Sequence, residues 1–260
     1  MNLFHNFIFF LSIVFFSSSY SVADNLPNYK REKDIKEQIL NFIFDAELID
    51  LKSNIEKSFT LLENVSTNSS KSILLLHGRG LSSNEPNIIG PLRLAISESN
   101  INVFSLQLPV LSKGKTYNDY VGIFKYSDKR IESALRYIEK ETNEIIIIAH
   151  SCGVHMIMSW VKNYTNLNVK AFILIGAGAT DRGQIIKNPF PYNNIDVPIL
   201  NIYGEHDYGA VKLNASLFSR YLSESLHPKS LQVEIANSNH HHEDNAKNLV
   251  DTVKKWLKLL

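Results

Sequence analysis

Residues 144–153 read EIIIIAHSCG, in which four consecutive isoleucines lead into an alanine, a histidine and a serine. A short apolar run of this kind is typical of a strand that is buried on both faces, as in a parallel sheet covered by helices. Residues 153–164, which follow the run, have the apolar spacing of a helix. The stretch therefore predicts that Ser151 lies on a tight turn between a buried strand and a helix.

Apolar runs alternate with helical segments on both sides of this stretch. Further strands are predicted at 58–65, 71–76, 102–108, 169–175, 198–203 and 231–236, and further helices at 32–44, 86–98, 118–141, 211–225 and 245–260. Strands that alternate with helices form βαβ units, so we expect an α/β fold with a doubly wound, mostly parallel sheet flanked by helices. Ligands of such sheets bind beyond the carboxyl ends of the strands, so functional residues are expected directly after strands.

The first 23 residues differ in composition from the rest of the chain. The apolar run FIFFLSIVFF at 7–16 is shorter than the ~20 residues that a membrane-spanning helix needs. Ser21-Val22-Ala23 then places small residues where a signal peptidase reads them. We therefore expect a signal peptide over residues 1–23, export to the periplasm or the medium, and no stable membrane span after cleavage. An uncleaved anchor is the alternative, because no Lys or Arg precedes the run.

The rest of the chain is predicted to hold one α/β domain. Residues 24–57 are expected to form a lead-in and an N-terminal helix, and residues 58–260 the domain itself. A chain of 260 residues, 44% of them hydrophobic, is long enough to bury a sizeable core. Its single cysteine, Cys152, excludes an intrachain disulfide. The 27 basic and 26 acidic residues nearly balance, which gives no reason to expect a nucleic acid partner.

The turn around Ser151 is crowded, and small residues stand two positions before and after it, at Ala149 and Gly153. This arrangement resembles the nucleophile elbow, G-x-S-x-G, of the α/β-hydrolase superfamily, with alanine in place of the first glycine. The resemblance implies that Ser151 is a catalytic nucleophile. The plain alternative is a serine that only caps the following helix.

The superfamily's chain order is serine, then acid, then histidine, with the histidine after the last strand. His227 precedes that strand and His206 lies in the loop expected to carry the acid, which leaves the run at His240, His241 and His242. The usual ending of this loop in the superfamily favours His240 as the general base, with His241 and His242 as alternatives. A metal-binding cluster is disfavoured, because three adjacent imidazoles cannot all face one point and no further ligand spacing is evident.

Two further elements follow strands in the same order. Residues 204–207 read GEHD and resemble the superfamily's acid turn, which implies Asp207 as the acid, with Asp181 as the runner-up. Residues 77–80 read HGRG and resemble its oxyanion turn. That resemblance implies that the backbone N–H groups of Arg79 and Cys152 hold the oxyanion.

These resemblances cover residues 58–260, and the stretch LQLPVL at 106–111 is similar to an uncharacterised bacterial branch of exported serine hydrolases. They imply a Ser-His-Asp triad that cleaves a small-molecule or surface-accessible ester without a cofactor. A non-catalytic binding module on the same fold, or a peptidase or thioesterase with the same triad, remains an alternative.

The connection that carries a lid in many members of the superfamily is short in this chain. About twenty residues separate Gly178 from Pro198, so we expect a small lid or none. Phe190, Pro191 and Tyr192 in this connection are expected to flank an open site. The length of the connection favours short or accessible esters as substrates.

Overall fold

The computed structural model describes residues 25–66, 69–140, 142, 144–163 and 168–260. The predicted signal peptide, residues 1–23, lies outside the described residues. Within the described part of the chain, no helix is both long enough and apolar enough to cross a membrane.

An eight-stranded sheet forms the centre of the molecule, with the strand order β1-β2-β4-β3-β5-β6-β7-β8. The strands are β1 Glu47–Leu51, β2 Phe59–Asn64, β3 Lys71–Leu76, β4 Asn102–Leu106, β5 Glu144–His150, β6 Ala171–Ile175, β7 Ile199–Gly204 and β8 Leu231–Ile235. The pairs β1–β2 and β2–β4 are antiparallel. Each of the other neighbouring pairs is parallel, which confirms the predicted mostly parallel sheet.

Helices cover both faces of the sheet. They are α1 Tyr29–Phe42, α2 Ile89–Ser97, α3 Tyr117–Val121, α4 Phe124–Ile138, α5 Cys152–Asn163, α6 Gly209–Glu224 and α7 Ala246–Leu257. Alternate isoleucines of β5 point to opposite faces, as strand geometry requires. Ile145 and Ile147 pack in the core that contains residues of α4 and α5, whereas Ile146 and Ile148 pack in the core that contains residues of α2 and α7.

The structure differs from the prediction in two helical regions. The helix predicted at 118–141 is divided into α3 and α4 at Gly122, a residue with low helix propensity. The space that a side chain would fill at Gly122 is occupied by Asn25. Helix α1 begins at Tyr29, earlier than predicted, because the side chain of Asn28 caps it by accepting a hydrogen bond from the N–H of Arg31.

The sheet also begins earlier than predicted. Strand β1 lies within residues 24–57, which we expected to precede the domain, and it pairs along its length with β2. The boundary predicted at residue 58 therefore separates the two strands of one antiparallel pair. Strand β1 is a five-residue edge strand whose side chains are all at least partly exposed, so it lacks the apolar run that marks the inner strands.

The connection between β6 and β7 is compact. Its one regular element is a single 3₁₀ turn, Tyr192–Asn194, which agrees with the expected small lid or none. The expectation that aromatic residues of this connection flank an open site is wrong. Phe190 and Tyr192 are buried, and their rings pack edge to face against each other. Tyr192 also packs against Phe218 of α6, so these rings anchor the connection to the core.

Candidate active site

The turn between β5 and α5 holds Ser151 in a left-handed backbone conformation, with φ of 54°. Its N–H donates to the carbonyl oxygen of Ile175 at the end of the neighbouring strand, 2.8 Å away. A Cβ atom at Gly153 would lie 2.6 Å from the carbonyl oxygen of His77, so only glycine fits there. Ala149 is fully buried inside β5, where its small side chain is accommodated. The hydroxyl of Ser151 therefore projects away from the backbone at the carboxyl end of the sheet.

His240 contacts both Ser151 and Asp207. Its Nε2 atom lies 2.9 Å from Ser151 Oγ, and its Nδ1 atom lies 2.7 Å from Asp207 Oδ1. A carboxylate can only accept, so Nδ1 carries the proton and donates to Asp207. Nε2 is then the acceptor for the hydroxyl of Ser151. Of the residues proposed from sequence for the triad, the structure brings these three together.

Asp207 and His240 are held by the backbone around them. Asp207 Oδ1 accepts the N–H of Tyr208 at 2.7 Å, and the N–H of Asp207 donates to the carbonyl of Gly204 at 3.0 Å. The side chain of Asp207 is fully buried. A Cβ atom at Gly176 would lie 2.7 Å from Cε1 of His240, so the residue after β6 must be glycine for the imidazole to fit. The side chains of Asp207 and His240 are therefore closely packed by their neighbours.

The alternative base residues, His241 and His242, make other contacts. His242 is buried and its Nδ1 lies 2.6 Å from Ser238 Oγ, while burial lowers its pKa to about 4. His241 is half-buried beside the ring of His240, with its pKa lowered chiefly by burial. Neither is hydrogen-bonded to Ser151 in the way that His240 is.

The alternative acid, Asp181, also lies apart from His240. It accepts two hydrogen bonds from the guanidinium of Arg79, at 2.5 Å and 2.9 Å, and a third from the N–H of Tyr117 at 2.7 Å. The hydrogen bonds from Arg79 lower the pKa of this carboxyl group. Asp181 is therefore an ion-pair partner at the rim of the site.

Residues 77–80, the oxyanion turn, lie directly against Ser151. The N–H of Leu81 donates to the carbonyl of Gly78, so Arg79 occupies a turn position whose own N–H takes no part in that bond. A Cβ atom at Gly78 would lie only 3.3 Å from the Cβ of Ser151. Cys152 is the first residue of α5, and the first N–H groups of a helix have no acceptor within it. Both predicted oxyanion donors therefore flank the serine.

His77 fixes the start of the oxyanion turn. Its Nδ1 donates to the carbonyl of Gly78 at 2.8 Å, and its Nε2 accepts the N–H of Leu108 at 3.0 Å. Burial lowers the pKa of His77 to about 4, so the ring is neutral near pH 7 and can play both parts. The ring links the loops that follow β3 and β4.

Two neighbours of the triad were missed by sequence reasoning. The ring of Tyr208 stacks on the imidazole of His240, with centroids 4.3 Å apart. The imidazole of His150 lies under the base, and its Nε2 is 3.2 Å from the carbonyl oxygen of His240. Each residue is adjacent in sequence to a proposed triad member, which is the one signal that could have found them.

A small cavity of about 130 Å³ opens over the hydroxyl of Ser151. Besides the serine and the base, its walls include Arg79, Leu81, Tyr117, Thr180, Tyr208 and His241. Within the described part of the chain, no group of three or more His, Cys, Asp or Glu side chains is arranged to hold a metal ion. The arrangement has the parts of an acyl-transfer site, namely a hydroxyl, a base oriented by an acid, and backbone donors.

The chain matches no protein-family model, and no curated protein matches it. Solved structures do resemble it. An esterase from Pyrococcus furiosus superposes with a TM-score of 0.64 at 13% identity, covering 87% of this chain and 92% of the esterase. A dienelactone hydrolase from Anabaena variabilis has a TM-score of 0.62 at 12% identity, covering 82% of this chain and 98% of that protein.

A lidless α/β serine hydrolase from Xanthomonas campestris is similar as well, with a TM-score of 0.59 at 11% identity. The superposition covers 84% of this chain and 95% of that protein. These likenesses, together with the strand order and the short β6–β7 connection, show that the chain has the α/β-hydrolase fold with little or no lid.

Proposed function

We propose that this protein is a serine hydrolase that cleaves carboxylic ester bonds, with Ser151 as nucleophile, His240 as general base and Asp207 as acid. The observation that carries the proposal is the continuous hydrogen-bonded chain from Ser151 Oγ through His240 to Asp207. A serine hydroxyl is a weak nucleophile until a neighbouring base takes its proton. In this site the base is in hydrogen-bonding contact with the hydroxyl, and a buried carboxylate orients it.

In the first step, His240 Nε2 takes the proton of Ser151 as Oγ attacks the ester carbonyl. Asp207 stabilises the imidazolium that forms, because its carboxylate accepts the hydrogen bond from Nδ1. The carbonyl oxygen gains negative charge, and the backbone N–H groups of Arg79 and Cys152 donate to it. The imidazolium then gives its proton to the leaving alcohol, and an acyl group remains on Ser151.

In the second step, water replaces the alcohol. His240 takes a proton from the water as its oxygen attacks the acyl carbonyl, and the same N–H groups stabilise the second oxyanion. Collapse of this intermediate releases the carboxylic acid and returns the proton to Ser151. The cycle uses side chains and backbone groups of this chain alone.

The size of the cavity bears on the substrate. A space of about 130 Å³ over the serine is room for the reacting ester group and a small substituent. The short β6–β7 connection leaves the site uncovered. Small or surface-accessible esters therefore fit it better than a deeply enclosed acyl chain.

The test is a panel of ester, thioester and peptide substrates, run on the purified protein together with fluorophosphonate labelling. The ester should be the best substrate, and the probe should modify Ser151. The Ser151→Ala variant should lose roughly 10⁵- to 10⁶-fold in kcat and all labelling, as triad deletions do in other serine hydrolases. A wild-type protein that takes no label and cleaves no substrate would support a binding module instead.

A matched pair of variants tests the acid. Asp207→Asn should lower kcat by about 10⁴-fold, because an amide favours the wrong tautomer of the base. Asp181→Asn is the control, since its carboxylate pairs with Arg79 and should cost far less. Equal losses in both variants would contradict the assignment of Asp207. Preference for a thioester or peptide in the panel would retain the triad and change the substrate class.

A further inference from the structure

The first turn of α1 is fastened to the loops that form the oxyanion side of the site. Residues 107–112, called here the β4 loop, follow β4 and contact both α1 and His77 of the oxyanion turn. The N–H of Asn28 donates to the carbonyl of Val110 at 2.7 Å. Glu32 accepts the N–H of Val110 through Oε1 at 3.0 Å. The helix therefore holds both polar groups of one peptide segment in the β4 loop.

Arg31 extends this attachment to the oxyanion turn itself. Its guanidinium donates from Nη2 to the carbonyl of Gly80 at 2.6 Å and from Nη1 to the carbonyl of Leu111 at 2.5 Å. The planar fork of an arginine can span two such carbonyls, which one ammonium group matches less well. One half-buried side chain thus ties the turn after β3 to the loop after β4.

Gly80 lies inside the turn that the Leu81 N–H closes on the Gly78 carbonyl, and Arg31 holds it from outside that turn. Gly80 has φ of +68°, a conformation that favours glycine, and a glycine peptide rotates easily unless something holds it. The guanidinium nitrogens of Arg31 would lie 3.4 Å from a Cβ atom at this position, so they cover the residue directly. Gly80 is bonded to Arg79, whose N–H is a proposed oxyanion donor.

Arg31 is itself held in place. Its own N–H donates to the capping side chain of Asn28 at 3.0 Å. The next residue, Glu32, accepts a hydrogen bond at 2.9 Å from Arg130, which is fully buried in α4. The guanidinium therefore projects from a helix end that is anchored on both sides.

We propose that Arg31 is a positioning residue for the oxyanion hole. It holds the Gly80 carbonyl, whose peptide carries the Leu81 N–H, and that N–H holds the Gly78 carbonyl of the peptide that carries the Arg79 N–H. This proposal rests on the proposed hydrolase function. It gives a role in the site to α1, which lies outside the predicted domain. Arg31 touches neither the serine nor the substrate, so it acts through the turn. Its loss should weaken binding of the transition state while leaving binding of the ground state almost unchanged.

The experiment compares Arg31→Met, Arg31→Lys and wild type on a short-chain ester. Removing one oxyanion donor costs about 10²- to 10³-fold in kcat, so a misdirected donor in Arg31→Met should cost about 10- to 100-fold. KM should stay within about threefold, and affinity for a trifluoromethyl ketone, which mimics the tetrahedral intermediate, should fall in parallel with kcat/KM. Arg31→Lys should recover part of the loss, because its ammonium reaches one of the carbonyls.

Lys36→Met is the matched control, because Lys36 lies on the same helix and pairs with Asp50 of β1, away from the turn. It should keep the wild-type kcat and ketone affinity. The proposal is overturned if Arg31→Met keeps kcat within about twofold of wild type, or if Lys36→Met loses as much. If Arg31→Met fails to fold, Arg31→Lys decides, and an unchanged kcat in that variant also overturns it. Failure of the hydrolase function would show separately, as an active Ser151→Ala or an unlabelled wild type.

Discussion

The side of the site that carries the triad and the side that carries the oxyanion turn are held by different forces. Ser151, Asp207 and His240 follow β5, β7 and β8, and backbone hydrogen bonds and close contacts with neighbouring strand ends position them. The oxyanion turn and the β4 loop are linked by the neutral ring of His77 and are also held by charged side chains from α1 and α4.

The difference shows what each side can tolerate. The triad side depends on glycines that have no side chain, because they leave the space that the imidazole and the turn around Ser151 occupy. The oxyanion side depends on charge, since Arg130 is buried between Glu32 and Glu56 and also donates to the carbonyl of Gln107 in the β4 loop. Added volume should therefore damage the triad side, and lost charge should damage the oxyanion side.

The largest expected effect comes from removing the buried charge. Arg130→Met should lower the free energy of unfolding by about 3–5 kcal/mol, because the buried carboxylates of Glu32 and Glu56 lose their partner. Arg136→Met on the same helix is the control. Its side chain is 62% exposed and pairs with Glu132 one turn away, so the change should stay within about 0.5 kcal/mol. Urea unfolding measures the free energy of unfolding of both variants. Similar losses would contradict the conclusion that the oxyanion side depends on buried charge.

Added volume at the elbow should have the next largest effect. Gly153→Ala should destabilise the fold by about 3 kcal/mol, because the new Cβ would meet the carbonyl oxygens of Leu76 and His77 at 2.8 Å and 2.6 Å. Gly209→Ala is the matched control, since nothing lies within 4 Å of a Cβ atom at that helix start. It should change the free energy of unfolding by less than about 1 kcal/mol. A Gly153→Ala variant as stable as the wild type would show that the turn around Ser151 can accommodate a methyl group.

Lowering the pH should reduce the free energy of unfolding through one histidine on each side of the site, and each effect should be smaller than those of the two substitutions above. Burial lowers the pKa of His77, in the oxyanion turn, and of His242, beside the triad, to about 4 each. An unfolded histidine binds its proton near pH 6.5, so between those pH values the unfolded state holds more protons and stability falls as pH falls. Each residue should contribute about 2 kcal/mol to the difference in unfolding free energy between pH 7 and pH 5.

Single substitutions separate these contributions. His77→Gln and His242→Gln should each reduce the difference between pH 7 and pH 5 by about 2 kcal/mol, as measured by urea unfolding at the two pH values. The exposed His206 provides the control, as His206→Gln should leave the difference unchanged. A difference that either of the first two substitutions leaves unchanged would contradict the contribution assigned to that histidine.

The residues of the triad side are predictable from the sequence more completely than those of the oxyanion side. The isoleucine run, the elbow around Ser151 and the loops of Asp207 and His240 are short patterns placed directly after strands, so local sequence carries them. The contacts of Arg31 with Gly80 and Leu111 join residues 49 and 80 positions apart, and Glu32 meets Arg130 across 98 positions. No local periodicity marks such pairs. Strand β1 was missed for a related reason, because an exposed edge strand has no apolar run.

Cys152 gives the molecule a built-in indicator of its own integrity. Its thiol is buried next to the nucleophile, and burial raises its pKa to about 12, so it stays protonated and inert toward alkylating agents while the fold is intact. Opening of the elbow would expose the one sulfhydryl in the chain. The rate at which a maleimide reacts with the protein therefore reports how often the turn around Ser151 opens, and no engineered label is needed.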